Sequence, residues 1–327
     1  MRKTFIRSIL TLGISIASLG VVNAQLGVPK EYIEPPGWSI GTSIGLSDLW
    51  GDVGTKSIIS HYANDKYWSA PHFMGGLFAR YSSSPGFAVR FGVNYGSLYA
   101  NDNWNASKAA SASNTADDAY QRYMRNLSVR TNIWEMSVMM ELTPKRLNFE
   151  SKGAKKRFQP YLLLGVAGFH FKPMAKYIDR DGHDRGYVNL YDLNVEANGV
   201  STDLYKDAKP KYSLWQVAVP AGLGVRWDIG RRLALGVEWI YRLTFTDYLD
   251  GVSNKYVDPA LYAKMYPNDP NKAALAAEMQ DQSYLIDKSY KHKPGDNRGN
   301  ASNKDSYSSF GLTFIFKIPS KKMPWWY

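Results

Sequence analysis

The chain has 327 residues and no cysteine, and its 40 Lys and Arg against 29 Asp and Glu give a formal charge of +11. The absence of cysteine excludes disulfide scaffolds, thiol nucleophiles and Cys-ligated metals. The basic residues are spread over turns and loops without a recognition helix or an RNA-binding motif, so the charge indicates anionic lipid or a protein partner and not nucleic acid. Aromatic residues make up 14% of the chain, which is typical of proteins with aromatic girdles at membrane interfaces.

The N-terminus has the pattern of a cleaved secretion signal. A basic start is followed by an apolar run from Ile9 to Val22 and by a small-residue triplet that ends at Ala24. The apolar run is shorter than the roughly 20 residues that a membrane-spanning helix needs. The sequence therefore predicts a signal peptide over residues 1–24 and a single exported domain over residues 25–327.

Further along the chain, apolar residues recur two positions apart, which is the period of a strand with one apolar and one polar face. No run is long enough for a spanning helix, and a mean hydropathy of −0.37 suits a barrel in which half of each strand is polar. The eight predicted strands are Trp38–Leu46, Leu77–Tyr81, Phe87–Tyr95, Trp134–Leu142, Phe158–Phe171, Trp215–Trp227, Leu233–Phe245 and Ser306–Ile318. Both faces of the fifth are apolar, so its inward and outward faces cannot be assigned.

The predicted connections alternate in length around the chain. Residues 82–86 and 228–232 are tight turns, and residues 143–157 form an intermediate one. The long polar connections are residues 47–72, 97–130, 172–212 and 246–305. The last of them contains a short helix, predicted over Asp269–Gln280. The pattern predicts an all-β fold, an eight-stranded antiparallel transmembrane β-barrel of the outer membrane with short periplasmic turns and long extracellular loops.

The last predicted strand has a second property besides its period. Phe314 and Phe316 lie on its apolar face, and Ser309 and Gly311 on its polar face. This spacing resembles the C-terminal signal that the bacterial barrel-insertion machinery reads. We therefore expect this strand to close the barrel and to face outer-membrane lipid.

Charged residues recur on the predicted inward faces of the strands. An eight-stranded barrel is only wide enough to be filled by its own side chains, and buried charges must be paired. The set is therefore predicted to form a salt-bridged plug, and the alternative is a narrow ion-selective pore. Its members are Arg80, Arg90, Glu135, Glu141, Arg226, Glu238 and Arg242.

No residue pattern singles out an enzyme or a cofactor site. The five histidines fall in loops or at outer strand ends, where His170 with Ser213 or Asp184 is the nearest approach to a hydrolase set. The segment Asp179–Asp184 is acidic, but it lacks the carboxylate ladder of an EF-hand and is interpreted as a solvated turn around Gly182. We expect a non-enzymatic protein without a cofactor or a small-molecule substrate.

Two basic segments fall at the predicted periplasmic end. The first is a cluster in the intermediate turn, and the second is a tail after the last strand that also carries aromatic residues. Both suit docking of an acidic periplasmic partner, and the alternative is a solvated turn with an inner aromatic girdle. The residues are Lys152, Lys155, Lys156, Arg157, Lys321, Lys322, Trp325 and Trp326.

Two motifs are more specific than glycine-spaced strands. One is the block Thr246-Asp247-Tyr248-Leu249-Asp250 after the seventh predicted strand, and the other is Arg298-Gly299 before the last. With these motifs, the domain resembles the PorG-like outer-membrane barrel family of Bacteroidota. The resemblance implies an association with the type IX secretion and gliding apparatus, in which the barrel connects the outer membrane to periplasmic secretion-ring proteins.

Several functions remain open at this point. The first is an accessory or anchoring component of type IX secretion, which works through its periplasmic surface. The second is an adhesion or recognition barrel, which works through its long loops. A narrow pore and a lipid-modifying enzyme are further alternatives.

Overall fold

The computed structural model describes residues 36–55, 72–84, 86–143, 158–229 and 232–318. Within them the chain forms nine strands: β1 (Gly37–Trp50), β2 (Phe73–Ser84), β3 (Phe87–Asn101), β4 (Ser128–Leu142), β5 (Phe158–Ile178), β6 (Asp184–Asn189), β7 (Trp215–Asp228), β8 (Leu233–Thr244) and β9 (Ser306–Lys317). Five short helices are α1 (Ala106–Ala110), α2 (Asp118–Arg125), α3 (Leu190–Leu193), α4 (Ala260–Met265) and α5 (Pro270–Gln280). None of the described helices has the length and hydropathy needed to cross a bilayer. The predicted signal peptide lies outside the described residues.

The strands close into a barrel. All neighbouring strands pair antiparallel, in the order β4-β3-β2-β1-β9-β8-β7-β5, and β5 pairs back with β4. The short strand β6 pairs only with the far end of β5 and does not belong to the closed ring. The predicted eight-stranded antiparallel barrel is therefore confirmed, and β9 joins β1 to β8.

The two ends of the barrel differ as the connection lengths predict. Ser84 pairs with Phe87 across a tight turn, and the first and last barrel residues, Gly37 and Lys317, lie at the same end. We call it the periplasmic end. The long connections all leave from the opposite, external end, where they fold together. We call this assembly, residues 51–55, 102–127, 179–214 and 245–305, the external head.

The outward face of the barrel is apolar. Alternate residues along each strand expose large hydrophobic side chains, with Leu77 exposed to 69% and Val166 to 65%. A continuous exposed apolar surface of this kind is unfavourable in water and is the surface that a spanning barrel presents to lipid. Tyr95 and Trp134 contact each other on this face toward the external end, and Trp38 and Tyr81 do so toward the periplasmic end.

Strand β5 differs from its prediction and explains why its faces could not be read. It continues to Ile178, so the connection predicted to start at Lys172 begins later. Phe169 and Phe171 point inward, while Leu162 and Val166 point to lipid. The external half of β5 faces the apolar core of the head instead of the polar lumen. Its inward side is therefore apolar too.

The external head has its own hydrophobic core, which is continuous with the top of the barrel. Its buried members include Leu49, Trp104, Leu127, Phe171, Leu190, Leu249, Val252, Tyr262, Met279 and Tyr307. The predicted helix is present as α5, and the Asp269 side chain accepts a hydrogen bond from Lys272 N at 3.0 Å as its N-cap. The described parts of the long loops are thus folded.

Replacing Phe316 by Asp should lower the yield of folded barrel. Phe316 is exposed on the lipid face and pairs with Ile40 and Leu233. A carboxylate there costs about 1 to 2 kcal/mol, depending on its depth in the bilayer. The measurement is the fraction of heat-modifiable, folded protein in isolated outer membranes, with Phe316→Leu as the matched control. Equal folded fractions for the Asp and Leu variants would contradict the lipid-facing placement.

Candidate functional site

The inward charges lie buried in the lumen and form ion pairs across it. Among the seven predicted charges, those nearest the periplasmic end surround Glu141, which lies between two arginines, with Arg80 Nη2 and Arg226 Nη1 both 2.7 Å from its Oε1. The Arg80 guanidinium also donates through Nε to Glu141 Oε2 at 3.0 Å, which makes this contact bidentate. Two opposite walls of the barrel, β2 and β7, are thereby joined to β4.

Two further pairs lie above this level. Arg90 Nη1 is 2.6 Å from Glu238 Oε1, which also accepts a hydrogen bond from the Tyr161 hydroxyl at 2.6 Å. Arg242 Nε is 2.7 Å from Glu135 Oε2, and the Tyr307 hydroxyl donates to the same oxygen at 2.7 Å. Charge-assisted bonds with additional donors are the arrangement in which a buried ion pair offsets its loss of hydration.

Small residues make room for these side chains. A Cβ on Gly224 would lie 2.5 Å from the Tyr161 ring, and one on Gly41 would lie 2.3 Å from the Phe78 ring. The Phe78 ring in turn lies 3.6 Å from the guanidinium carbon of Arg90, a cation–π contact. The glycines on the inward faces therefore permit a lumen filled with arginine, glutamate and aromatic side chains.

A small cavity lies within the charged part of the lumen. The cavity has a volume of about 30 Å³ and lies beside Arg90, Asn94, Glu238 and Arg242. This is room for roughly two or three water molecules, since one water occupies on the order of 10 to 15 Å³ by this measure. Lys317 and Asp228, a pair that the sequence analysis missed, lie 2.6 Å apart at the periplasmic mouth.

Replacing Arg242 by Met should destabilise the barrel by about 3 to 5 kcal/mol, because it leaves Glu135 buried without its cation. Urea unfolding of the barrel in liposomes, followed by tryptophan fluorescence, measures this loss. The control is Arg185→Met, which breaks an exposed pair with Asp179 and should cost less than about 1 kcal/mol. A loss for Arg242→Met as small as that of the control would show that the lumen pair is not desolvated.

The block Thr246–Asp250 forms a hydrogen-bonded hub where the external head meets the barrel. Asp250 Oδ2 accepts the backbone N–H groups of Asp52 and Val53 at 2.7 and 2.9 Å. Leu249 N donates to Asp305 Oδ2 at 2.8 Å, and Asp305 N donates to Thr246 O at 3.0 Å. The hub thus joins the end of β8, the start of β9 and the segment that follows β1.

Arg298 and Gly299 lie against the same hub. Arg298 Nη1 is 2.7 Å from Glu196 Oε1 and donates to the carbonyl of Gly251 at 3.0 Å. A Cβ on Gly299 would lie 2.7 Å from Val252 Cγ1, so the chain passes too closely for any side chain. The two sequence motifs are therefore brought together, although Gly251 and Arg298 are 47 positions apart in the chain.

Sequence reasoning missed other members of this cluster. Arg125 forms a bidentate contact with Asp102, with two donor–acceptor distances of 2.8 Å, and donates to Arg298 O at 2.6 Å. The Glu196 carboxylate accepts a hydrogen bond from Arg298, which lies 102 positions later in the chain. Arg125 is the last residue of the short helix α2 and Glu196 lies in an irregular loop, so no strand periodicity marks them. Only the acidic and basic character of these connections could have indicated them.

Buried carboxylates of the hub repel one another. Burial raises the pKa of Asp247 to about 8, and the charges of Asp250 and Asp52 add to this effect while the Ser253 side chain opposes it. Burial and Asp52 raise the pKa of Asp250 to about 7. Burial, followed by the charges of Asp250 and Asp247, raises the pKa of Asp305 well above its usual range.

The other predicted site residues are distributed as follows. Ser309 accepts a hydrogen bond from Arg242 Nη1 at 2.7 Å, and Gly311 lies against the backbone of β1. Phe314 and Phe316 are exposed on the lipid face. Both basic segments, Lys152, Lys155, Lys156 and Arg157 in the turn and Lys321, Lys322, Trp325 and Trp326 in the tail, lie outside the described residues.

Within the described residues, the structure does not bring His170, Ser213 and Asp184 together as a hydrolase site. The His170 ring packs on Trp215 at 5.1 Å, Asp184 pairs with Lys176 at 2.9 Å, and Ser213 Oγ accepts a hydrogen bond from Trp215 N. In the acidic turn, Asp179 Oδ1 accepts the N–H groups of Asp181 and His183. Asp179 therefore closes its own turn around Gly182.

An open cavity of about 1540 Å³ lies among the described residues on the side of the external head. Its lining is polar and includes Gly51, Asp52, Arg122, Arg298 and Asn300. The cavity thus reaches the hub from solvent.

No protein-family model matches the chain, and no curated protein matches it. Similar solved structures are a major outer membrane protein of Thermus thermophilus (12% identity, TM-score 0.36), OprG of Pseudomonas aeruginosa (11%, 0.34) and Ail, the attachment invasion locus protein of Yersinia pestis (10%, 0.34). They cover 86%, 89% and 87% of this chain and 100%, 100% and 99% of their own chains. Similarities of this size say nothing about what the chain binds.

Proposed function

We propose that the chain is a non-enzymatic, non-conducting outer-membrane β-barrel that serves as a scaffold for protein partners. The observation that carries this proposal is the lumen, where Arg80, Arg90, Arg226 and Arg242 are paired with glutamates and the cavity beside Arg90 and Arg242 measures only about 30 Å³. A barrel of this kind transports nothing through its interior. Its working surfaces are its two ends.

Among scaffolding roles, we propose an accessory or anchoring component of the type IX secretion and gliding apparatus. The resemblance of the hub motifs to the PorG-like family supports this role. The charge of the periplasmic segments supports it as well, because a basic turn and a basic, aromatic tail suit an acidic periplasmic ring protein. The barrel would then hold that ring at the outer membrane.

The second candidate is recognition or adhesion through the external head. The supporting observation is that the head is folded, with a buried core and a polar cavity open to solvent. A preorganised surface binds a partner without the entropic cost of ordering long loops. In this case the periplasmic segments would be dispensable.

Planar-bilayer recording tests the non-conducting lumen. The purified wild-type barrel should show no steady channel, because the paired charges and aromatic rings occupy the space that ions would need. A stable open conductance in the wild type, with voltage-independent openings, would contradict the plug and favour the pore. Glu141→Ala, which leaves Arg80 and Arg226 without their common partner, serves as the comparison.

Affinity purification from gently solubilised outer membranes distinguishes the two candidates. One variant combines neutralisation of Lys152, Lys155, Lys156 and Arg157 with deletion of residues 323–327. This variant should still fold as a barrel, but it should lose the periplasmic proteins that co-purify with the wild type, and secretion should be impaired. The matched control neutralises four exposed lysines of the head, Lys206, Lys209, Lys211 and Lys255. If the control variant loses the partner and the periplasmic variant keeps it, the head is the binding surface and the anchoring role is wrong.

A further inference from the structure

The external head contains more buried acids than buried bases around the hub. The buried acids are Asp52, Asp102, Glu196, Asp247, Asp250 and Asp305, and the buried bases are Arg122, Arg125 and Arg298. In the lumen, by contrast, every buried glutamate has an arginine partner. The hub therefore carries a local excess of negative charge on buried side chains.

The three arginines are already committed to three of the acids. Arg125 binds Asp102 and Arg298 binds Glu196, while Arg122 lies 3.8 Å from Asp52. Asp247, Asp250 and Asp305 remain, and none of them forms an ion pair with any described residue. Because unpaired buried carboxylates are strongly unfavourable, these three need a further source of positive charge or a bound proton.

Two of these carboxylates have oxygens without a well-aligned hydrogen bond. Both oxygens of Asp247 and the Oδ1 of Asp305 are buried, and apart from the approach of the Ser253 side chain to Asp247 they have no hydrogen-bond donor among the described residues. Asp305 Oδ1 and Asp250 Oδ2 lie 2.8 and 2.6 Å from the position that a Cβ on Gly51 would occupy, so both carboxylates lie beside the backbone of Gly51. Asp250 differs from the other two because its oxygens accept three backbone N–H groups.

We propose that Asp247 and Asp305 bind a divalent cation of the Ca²⁺ class at this hub, with Asp250 adding negative charge beside it. Ca²⁺ takes six to eight oxygen ligands, and carboxylates, backbone carbonyls and waters all serve. The ligand atoms of Asp247, Asp250 and Asp305 do not all lie within 4.8 Å of one another, and among the described residues the only such group of three is Asp179, Asp181 and His183 of the exposed turn. The hub would therefore supply two carboxylates, Asp247 and Asp305, and water or backbone carbonyl oxygens would complete the shell.

The position of the site gives it a structural consequence. The cavity of the head brings solvent to Gly51 and Asp52, so an ion can enter without unfolding the barrel. Through Leu249 and Asp52, the hub holds the end of β8 and the segment after β1. A cation there would fasten the external head to the barrel, and its removal would loosen the head while the lumen pairs keep the barrel closed.

The test uses the full barrel folded in detergent, at pH 8, in CaCl2, MgCl2 or EDTA. Hydrogen–deuterium exchange of the wild type should show slower exchange of residues 246–253 and 298–305 in CaCl2 than in EDTA, with the strands unchanged. Displacement of Tb³⁺ luminescence by Ca²⁺ should report binding. Asp247→Asn and Asp305→Asn should each weaken Tb³⁺ binding by about tenfold or more, in the range seen when ligands or their supports are lost.

The control for adventitious binding is Asp179→Asn with Asp181→Asn, which removes the exposed acidic turn and should leave the Ca²⁺ effect in place. If this control abolishes the effect, the ion belongs to the turn and the proposal is wrong. It is also wrong if the wild type exchanges equally in CaCl2 and EDTA. Slower exchange of the hub as the pH falls would then show that protons neutralise the carboxyls. The exchange measurement on the wild type decides the matter even where an Asn variant fails to fold.

Discussion

The requirement that buried charge be compensated is the constraint on which this structure depends. A narrow barrel has no room for the water that would hydrate an arginine or a glutamate, so each must find its partner across the lumen. Arg80 and Arg226 reach Glu141 from different strands, and Arg90 reaches Glu238 from the opposite wall. The pairs therefore connect strands that are not neighbours in the sheet, which the backbone hydrogen bonds alone cannot do.

The same constraint separates the two halves of the molecule. Toward the external end, the lumen changes from ion pairs to aromatic packing, where the Phe169 and Tyr307 rings lie 5.6 Å apart in an edge-to-face contact. Above that layer, backbone N–H groups take the place of arginines as partners for Asp250. A hub built on backbone donors fixes the paths of the chain where strands end and loops begin, but it leaves part of its negative charge uncompensated.

Much of the barrel could be predicted because a period of two relates each strand residue to one face. The inward placement of Arg80, Glu135 and Glu238 follows from that period alone. The choice of ion-pair partner does not follow from that period. Glu238 and Arg242 share a strand face, yet they lie roughly 13 Å apart, at about 3.3 Å per residue, and they pair with residues of different strands. Partner choice depends on how the sheet closes, which the sequence pattern of a single strand does not contain.

The external head was the part least accessible to prediction. Its helix α5 has an N-cap and a proline at its start, and both are local features. Arg125 and Glu196 act through partners in distant loops, and no periodicity marks them. The faces of β5 could not be assigned for a related reason, since its inward side passes from a polar lumen to an apolar core along one strand.

A double-mutant cycle on Arg90 and Glu238 tests most directly whether paired charges hold the lumen closed. Arg90→Met and Glu238→Gln each leave one buried charge or donor without its partner, whereas the double variant removes both charges together. Unfolding free energies measured in liposomes should show the double variant less destabilised than the sum of the single variants, by about 2 kcal/mol or more. Additive losses would contradict the account, because they would mean that the two side chains do not act as a pair.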